Sequence, residues 1–204
     1  NAMAENLARR GGAERIRIRS SAFDNTIDGR WLSDIATEWN MTPVDASIKI
    51  LKQTSPGIIS YNMHEKDLQT FMMQHWNMTA SDGGYPEWGR GTPHPRAFGT
   101  FPRKIRTYVL EKGILDLATA IRSMTGLPAQ VLNLRDRGTI REGAFADLLV
   151  FDLGRLRDRA TFEAPFQLSQ GMVHVIVNGH AAIAYEAFTG AMAGQVLRRQ
   201  NTFE

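Results

Sequence analysis

The residues of this chain best suited to chemistry sit in two short runs, Ser81-Asp82-Gly83-Gly84 and His94-Pro95-Arg96. The residues before the first run predict a short strand over 77–80. That puts Asp82 at a strand's carboxyl end, freed by two glycines, where barrel enzymes place their catalytic groups. A carboxylate there can coordinate a metal through oxygen, or take a proton from a metal-bound water. It can equally cap the turn after the strand. In the second run, Arg96 and the nearby Arg103 can hold a substrate carboxylate, because the guanidinium fork matches carboxylate geometry. Arg103, just before a helical stretch, also reads as a surface charge. Tyr85 and Trp88, between the two runs, could line an apolar pocket or cover the end of the fold.

The other titratable candidates are weaker. His64 and His75 flank a helical stretch and read as surface or packing residues, and His174 and His180 read as structural. No two of the five histidines form an HxH or HExxH pair. The chain has no cysteine, which excludes a disulfide framework and any thiolate nucleophile or metal ligand, and allows a cytoplasmic location.

The elements that would position these residues follow from spacing. Arg15 to Arg19 alternates charged and apolar residues as a strand does; Trp31, Leu32, Ile35, Ala36 and Trp39 recur at helical spacing. Thr42-Pro43 is a helix-start pair, and Ser55-Pro56-Gly57 closes the helix it opens. Ile58 to Tyr61 reads as a buried strand and Glu65 to Gln74 as a helix. This alternation predicts βαβ units feeding a parallel sheet. Residues 83–102 hold five glycines and four prolines, a long loop of the kind that is usually functional. Helical spacing returns over Lys104 to Leu110, and Asp116 caps a further helix that Gly126 and Pro128 stop. Beyond Leu134 short strands dominate, with Asn178-Gly179 as the clearest hairpin signal. The expected division is a tag remnant at 1–2, an α/β part at 3–134 and a β-rich part at 135–204.

At 204 residues with 43% hydrophobic and 22% charged side chains, the chain can bury a core but is short for a closed eight-stranded α/β barrel. The net charge of +3 is dispersed, and the arginines of 15–19 and 155–159 alternate with apolar or acidic residues. A nucleic-acid partner is therefore not expected. No apolar run is long enough for a membrane span or signal core.

Together, Arg10-Gly11-Gly12-Ala13, Ser81-Asp82-Gly83, His94-Pro95-Arg96, Gly99-Thr100-Phe101-Pro102-Arg103, Met124-Thr125 with Leu127-Pro128-Ala129, Asp136-Arg137-Gly138, Arg141-Glu142-Gly143, Ala146-Asp147, Arg159-Ala160-Thr161-Phe162 and Val177-Asn178-Gly179 resemble the carboxyl-terminal half of D-aminoacylases, N-acyl-D-amino-acid deacylases of the amidohydrolase superfamily. The resemblance implies the last part of a metal-dependent (β/α)8 barrel, about three βα units, with a small β-sandwich segment. It implies that Asp82 is the general base on a zinc-activated water and the proton donor to the leaving amine. It implies that Arg96 anchors the substrate's α-carboxylate, with His94, Ser81 and Gly83 supporting the loop and strand end. The family's metal-binding HxH pair, bridging cysteine and two further histidines have no counterpart here, so Asp82 would ligate zinc only together with ligands from a preceding half.

Three expectations result. The chain is a piece of a zinc amidohydrolase, inactive and zinc-free when isolated. Alternatively it is a non-catalytic module whose open edges are covered by another copy or by a complementary N-terminal half. A dihydroorotase-like or hydantoinase-like amidohydrolase would keep the fold and change the substrate.

Overall fold

The computed structural model describes residues 2–198. The chain forms two compact units built from interleaved segments. Among the described residues, the first comprises 2–68 together with 83–97 and 160–167; the second comprises 69–82, 98–159 and 168–198. No helix among the described residues is long and apolar enough to cross a membrane.

In the first unit, helix α1 (Ala2–Arg9) leads through a 3-10 turn into strand β1 (Ile16–Ser20). Helices α2 (Leu32–Glu38) and α3 (Pro43–Gln53) follow, then strand β2 (Gly57–Ser60). The strand period of two turns Ile16 and Ile18 into a core shared with Leu7, Ile27, Leu32, Ile35, Ala46 and Ile50, and leaves Arg17 and Arg19 on the other face. The start pair acts as its sequence implies: Pro43 opens α3, and the Thr42 hydroxyl accepts from the Asp45 N–H at 3.1 Å.

The expected parallel βαβ arrangement is not what forms. β1 and β2 pair antiparallel, with Arg17 opposite Ile59 and Ile18 opposite Ile58, and every strand pair among the described residues is antiparallel. A single crossover helix returns the chain parallel; two helices joined by a short turn return it antiparallel, and two lie between these strands. Among the described residues, no parallel pair forms of the kind that the three βα units of a partial barrel would give.

Helix α4 (Glu65–Met72) runs from the first unit into the second. Residues 77–80, expected as a strand, are irregular: the Thr79 N–H donates to the Ser123 carbonyl at 2.9 Å, at the end of a helix and not in a sheet ladder. The long loop is also shorter than expected, because helix α5 (Arg96–Arg103) forms inside it and continues as a π-helix over Lys104–Glu111. Pro102 supplies no N–H to the helix ladder. Gly99 is a glycine because the Asp158 carboxylate occupies the space a Cβ would take.

Asp116 caps helix α6 (Leu117–Met124) through the Thr119 N–H at 2.8 Å. The expected stop at Gly126 and Pro128 instead opens a second short helix, α7 (Gly126–Val131), since proline is tolerated in a first helical turn. Helices then give way to a four-stranded antiparallel sheet of β3 (Leu148–Phe151), β4 (Met172–Val177), β5 (His180–Ala184) and β6 (Ala187–Phe188), in that spatial order. Asn178 and Gly179 both have positive φ, 49° and 82°, and close the β4–β5 hairpin as their sequence implies. The Arg137 guanidinium pairs with Asp147 and donates to Asn178 Oδ1 at 2.5 Å, while Asp147 Oδ1 accepts the Asn178 N–H at 2.8 Å.

Candidate active site

In the first unit, Gly83, His94 and Arg96 come together. A Cβ on Gly83 would stand 2.9 Å from Ala97 Cα and 3.2 Å from the Arg96 carbonyl oxygen, so only glycine lets the backbone lie against the start of α5. Gly83 is thus a close-packing residue, whereas Gly84 faces open space. His94 Nδ1 accepts the Arg96 N–H at 3.1 Å, and the Ala97 N–H donates to the His94 carbonyl at 3.1 Å. A backbone N–H can only donate, so a neutral imidazole carries its proton on Nε2. Arg96 opens α5 with an exposed side chain.

Ser81 and Asp82 belong to the second unit. Asp82 is exposed and holds φ at 47°, in the left-handed region that non-glycine residues enter at some cost. Strain of this kind is kept where surrounding structure fixes it, and it commonly marks working residues.

An aromatic row behind His94 has no counterpart among the expectations from sequence. Ring centroids run from Trp31 to Tyr61 at 5.0 Å, Tyr61 to Phe162 at 4.8 Å and Phe162 to His94 at 4.9 Å. Such spacings are favourable for tilted and edge-on aromatic pairs. Arg17 ties the row down: its Nε donates to the Gly29 carbonyl at 2.5 Å, its Nη1 to the Phe162 carbonyl at 2.9 Å, and its guanidinium lies over Trp31. Burial pushes the Tyr61 phenol above its ordinary value, against the opposing pull of Arg17, so it stays protonated at neutral pH. The signal that marks Arg17 is its place between two buried isoleucines.

Of the two aromatics in the long loop, Trp88 packs on Phe166 at 5.5 Å and lines a polar cleft whose walls also include Arg19, Asp28 and Arg90. Tyr85 stands fully in solvent. A second unforeseen residue is Lys104, buried in the second unit, where its Nζ donates to Thr79 Oγ1 at 2.6 Å and Ser123 Oγ at 2.7 Å. Nothing in its sequence context distinguishes it from a surface lysine.

No three His, Asp or Glu side chains converge on a point among the described residues. The described residues therefore do not by themselves compose a zinc site around Asp82.

Residues 7–183 match the model of the amidohydrolase family, and the chain belongs to that family. It is similar to a portion of N-acyl-D-glutamate deacylase from Alcaligenes xylosoxydans xylosoxydans, 38% identical over 90% of this chain and 36% of that protein. D-aminoacylase from the same organism is 40% identical over 85% of this chain and 34% of its own length. The structure of N-acyl-D-glutamate deacylase from Bordetella bronchiseptica, complexed with zinc and a phosphonate inhibitor that mimics the reaction's tetrahedral intermediate, superposes with a TM-score of 0.83 at 33% identity, covering 94% of this chain and 39% of that one. The chain thus spans a little over a third of the length of these relatives.

Proposed function

We propose that this chain is the carboxyl-terminal part of a deacylase that hydrolyses N-acyl-D-amino acids to a carboxylate and a free D-amino acid. Likeness along nine-tenths of the chain to enzymes named for that reaction carries the reading. In this account Asp82 takes the proton of the attacking water and returns it to the departing amine nitrogen as the C–N bond breaks. Arg96 pairs with the substrate's α-carboxylate, and His94 fixes the turn from which Arg96 departs. Gly83 holds the backbone after Asp82 close against the start of α5, and the support of the strand end by Ser81 is part of the same proposal.

The zinc implied by the resemblance would draw its ligands from outside the described residues, since Asp82 alone holds such an ion weakly. The isolated 204-residue chain is therefore proposed to be zinc-free and inactive. The division into a partial barrel over 3–134 and a sandwich segment over 135–204 belongs to the same proposal, supported by the change from helices to strands between α7 and β3. So does a cytoplasmic location, which the absence of cysteine permits. The test is release of D-amino acid from N-acetyl-D-glutamate and N-acetyl-D-methionine by the complete polypeptide that contains this sequence, with the 204-residue chain assayed beside it.

A second reading, association with another copy or with a complementary half, rests on the second unit's exposed Phe71, Met73, Trp76 and Met78. Large apolar side chains grouped this closely in sequence are costly to leave in water. Light scattering at micromolar concentration tests it, and a monodisperse monomer would overturn the self-association it expects.

A further inference from the structure

We infer that Lys104 is a positioning residue for Asp82, clamping through Thr79 the segment that carries the aspartate; the inference rests on the deacylase reading above. Lys104 is only 3% exposed, and no carboxylate pairs with it among the described residues. Buried lysines are rare without such a partner, because an ammonium ion taken from water loses several kcal/mol of solvation, of which hydroxyl contacts restore only part. A methionine would fill the same volume without that cost.

What the ammonium adds is a junction of three elements. Its Nζ donates to Ser123 Oγ on α6 and to Thr79 Oγ1 on the irregular segment, from its own place at the start of the π-helix. The two hydroxyl oxygens lie 3.2 Å apart, and Ser123 Oγ donates onward to the Ala120 carbonyl at 2.7 Å. The Thr79 N–H, bonded to the Ser123 carbonyl at 2.9 Å, completes the attachment. Burial alone pushes the Lys104 ammonium down from its ordinary value, as expected with no neighbouring charge to oppose it.

The clamp matters because residues 77–80 have no strand partner to hold them. Asp82 lies three positions after Thr79, at most about 10 Å of extended chain, so slack at Thr79 reaches the carboxylate. A displacement of about 1 Å at a reacting group can cost about 100-fold in rate. Lys104 touches no substrate in this account. It acts only by fixing where Asp82 stands.

The experiment pairs two readouts on Lys104→Met. Amide hydrogen exchange at Thr79 in the 204-residue chain reads the clamp without reference to catalysis. Deacylation kinetics of the complete polypeptide read its consequence. Exchange at Thr79 is expected to rise at least 10-fold while the amides of β4 keep their protection, and kcat to fall about 100-fold with KM within twofold. Thr79→Val should reproduce the kcat loss and Thr79→Ser should restore it, which also covers the case of a Lys104→Met chain that fails to fold. Unchanged Thr79 exchange, or unchanged kcat in the folded variants of an active enzyme, overturns the inference. A wild-type polypeptide that releases no D-amino acid overturns the deacylase reading instead, and the catalytic part of this inference with it.

Discussion

The main-chain N–H of Arg96 points at the imidazole Nδ1 of His94 across 3.1 Å, so the residue proposed to bind the substrate carboxylate departs from a turn capped by its own neighbour. A side-chain acceptor at a helix start is worth about 1 kcal/mol. Replacing His94 with Ala is expected to destabilise the folded chain by roughly that amount, and His94→Asn, which keeps an acceptor within reach, to recover most of it. Urea denaturation of the three proteins checks this. Equal midpoints for the Ala variant and wild type would contradict it.

Gly83 and Gly84 are adjacent in sequence and opposite in environment. A methyl group on Gly83 meets Ala97 backbone at 2.9 Å, whereas one on Gly84 meets nothing within 4 Å. Gly83→Ala should cost about 1–3 kcal/mol, as overpacking against a fixed neighbour does. Gly84→Ala should stay within about 0.5 kcal/mol, as surface substitutions do. Thermal and urea unfolding of the pair would separate a packing role from simple chain freedom.

The buried ammonium gives stability a particular pH dependence. Burial lowers the folded-state value of Lys104 below its ordinary 10.5, so between the two values the unfolded chain binds more protons than the folded one. Stability attributable to this group therefore rises as pH climbs through that window, and is lowest below it, where the charged form must be buried. Unfolding free energies of wild type minus Lys104→Met, measured from pH 7 to pH 10.5, should increase with pH. A flat difference would show that Lys104 is solvated.

Asp147 makes the converse case. Burial alone would raise its value, but the Asn178 N–H and the Arg137 guanidinium outweigh burial and hold the carboxyl below the usual range. Its contribution is present above the unfolded-state value and is lost as pH falls through the depressed folded-state one. Asp147→Asn should therefore flatten the acid limb of the stability profile, and an unaltered acid limb would contradict the assignment.

How much of this was legible follows from how local each feature is. The Asn178-Gly179 hairpin, the Thr42-Pro43 helix start and the Asp116 cap depend on two to four consecutive residues, and all three form as the sequence implies. The pairing of β1 with β2 depends on the return path of two helices, so its antiparallel sense is invisible in the alternation of strand-like and helix-like runs. Helix α5 is hidden because Gly99 and Pro102 read as loop residues, and the reason for Gly99 lies in Asp158, far along the chain. Of the site, Asp82 and His94-Pro95-Arg96 stand out by type and motif. Tyr61, Phe162 and Lys104 matter through partners distant in sequence, which no local pattern encodes, and for Arg17 the local pattern marks only its place between two isoleucines and not its partners.

The central claim is that Asp82 moves the proton in a D-specific deacylation. The most direct measurement is the rate of D-glutamate release from N-acetyl-D-glutamate by the complete polypeptide and its Asp82→Asn variant, with the L-enantiomer as control. Loss of general acid–base catalysis predicts a fall in kcat of about 100-fold to 10,000-fold with little change in KM, and no turnover of the L-substrate. An Asp82→Asn enzyme that retains the wild-type kcat would contradict the account.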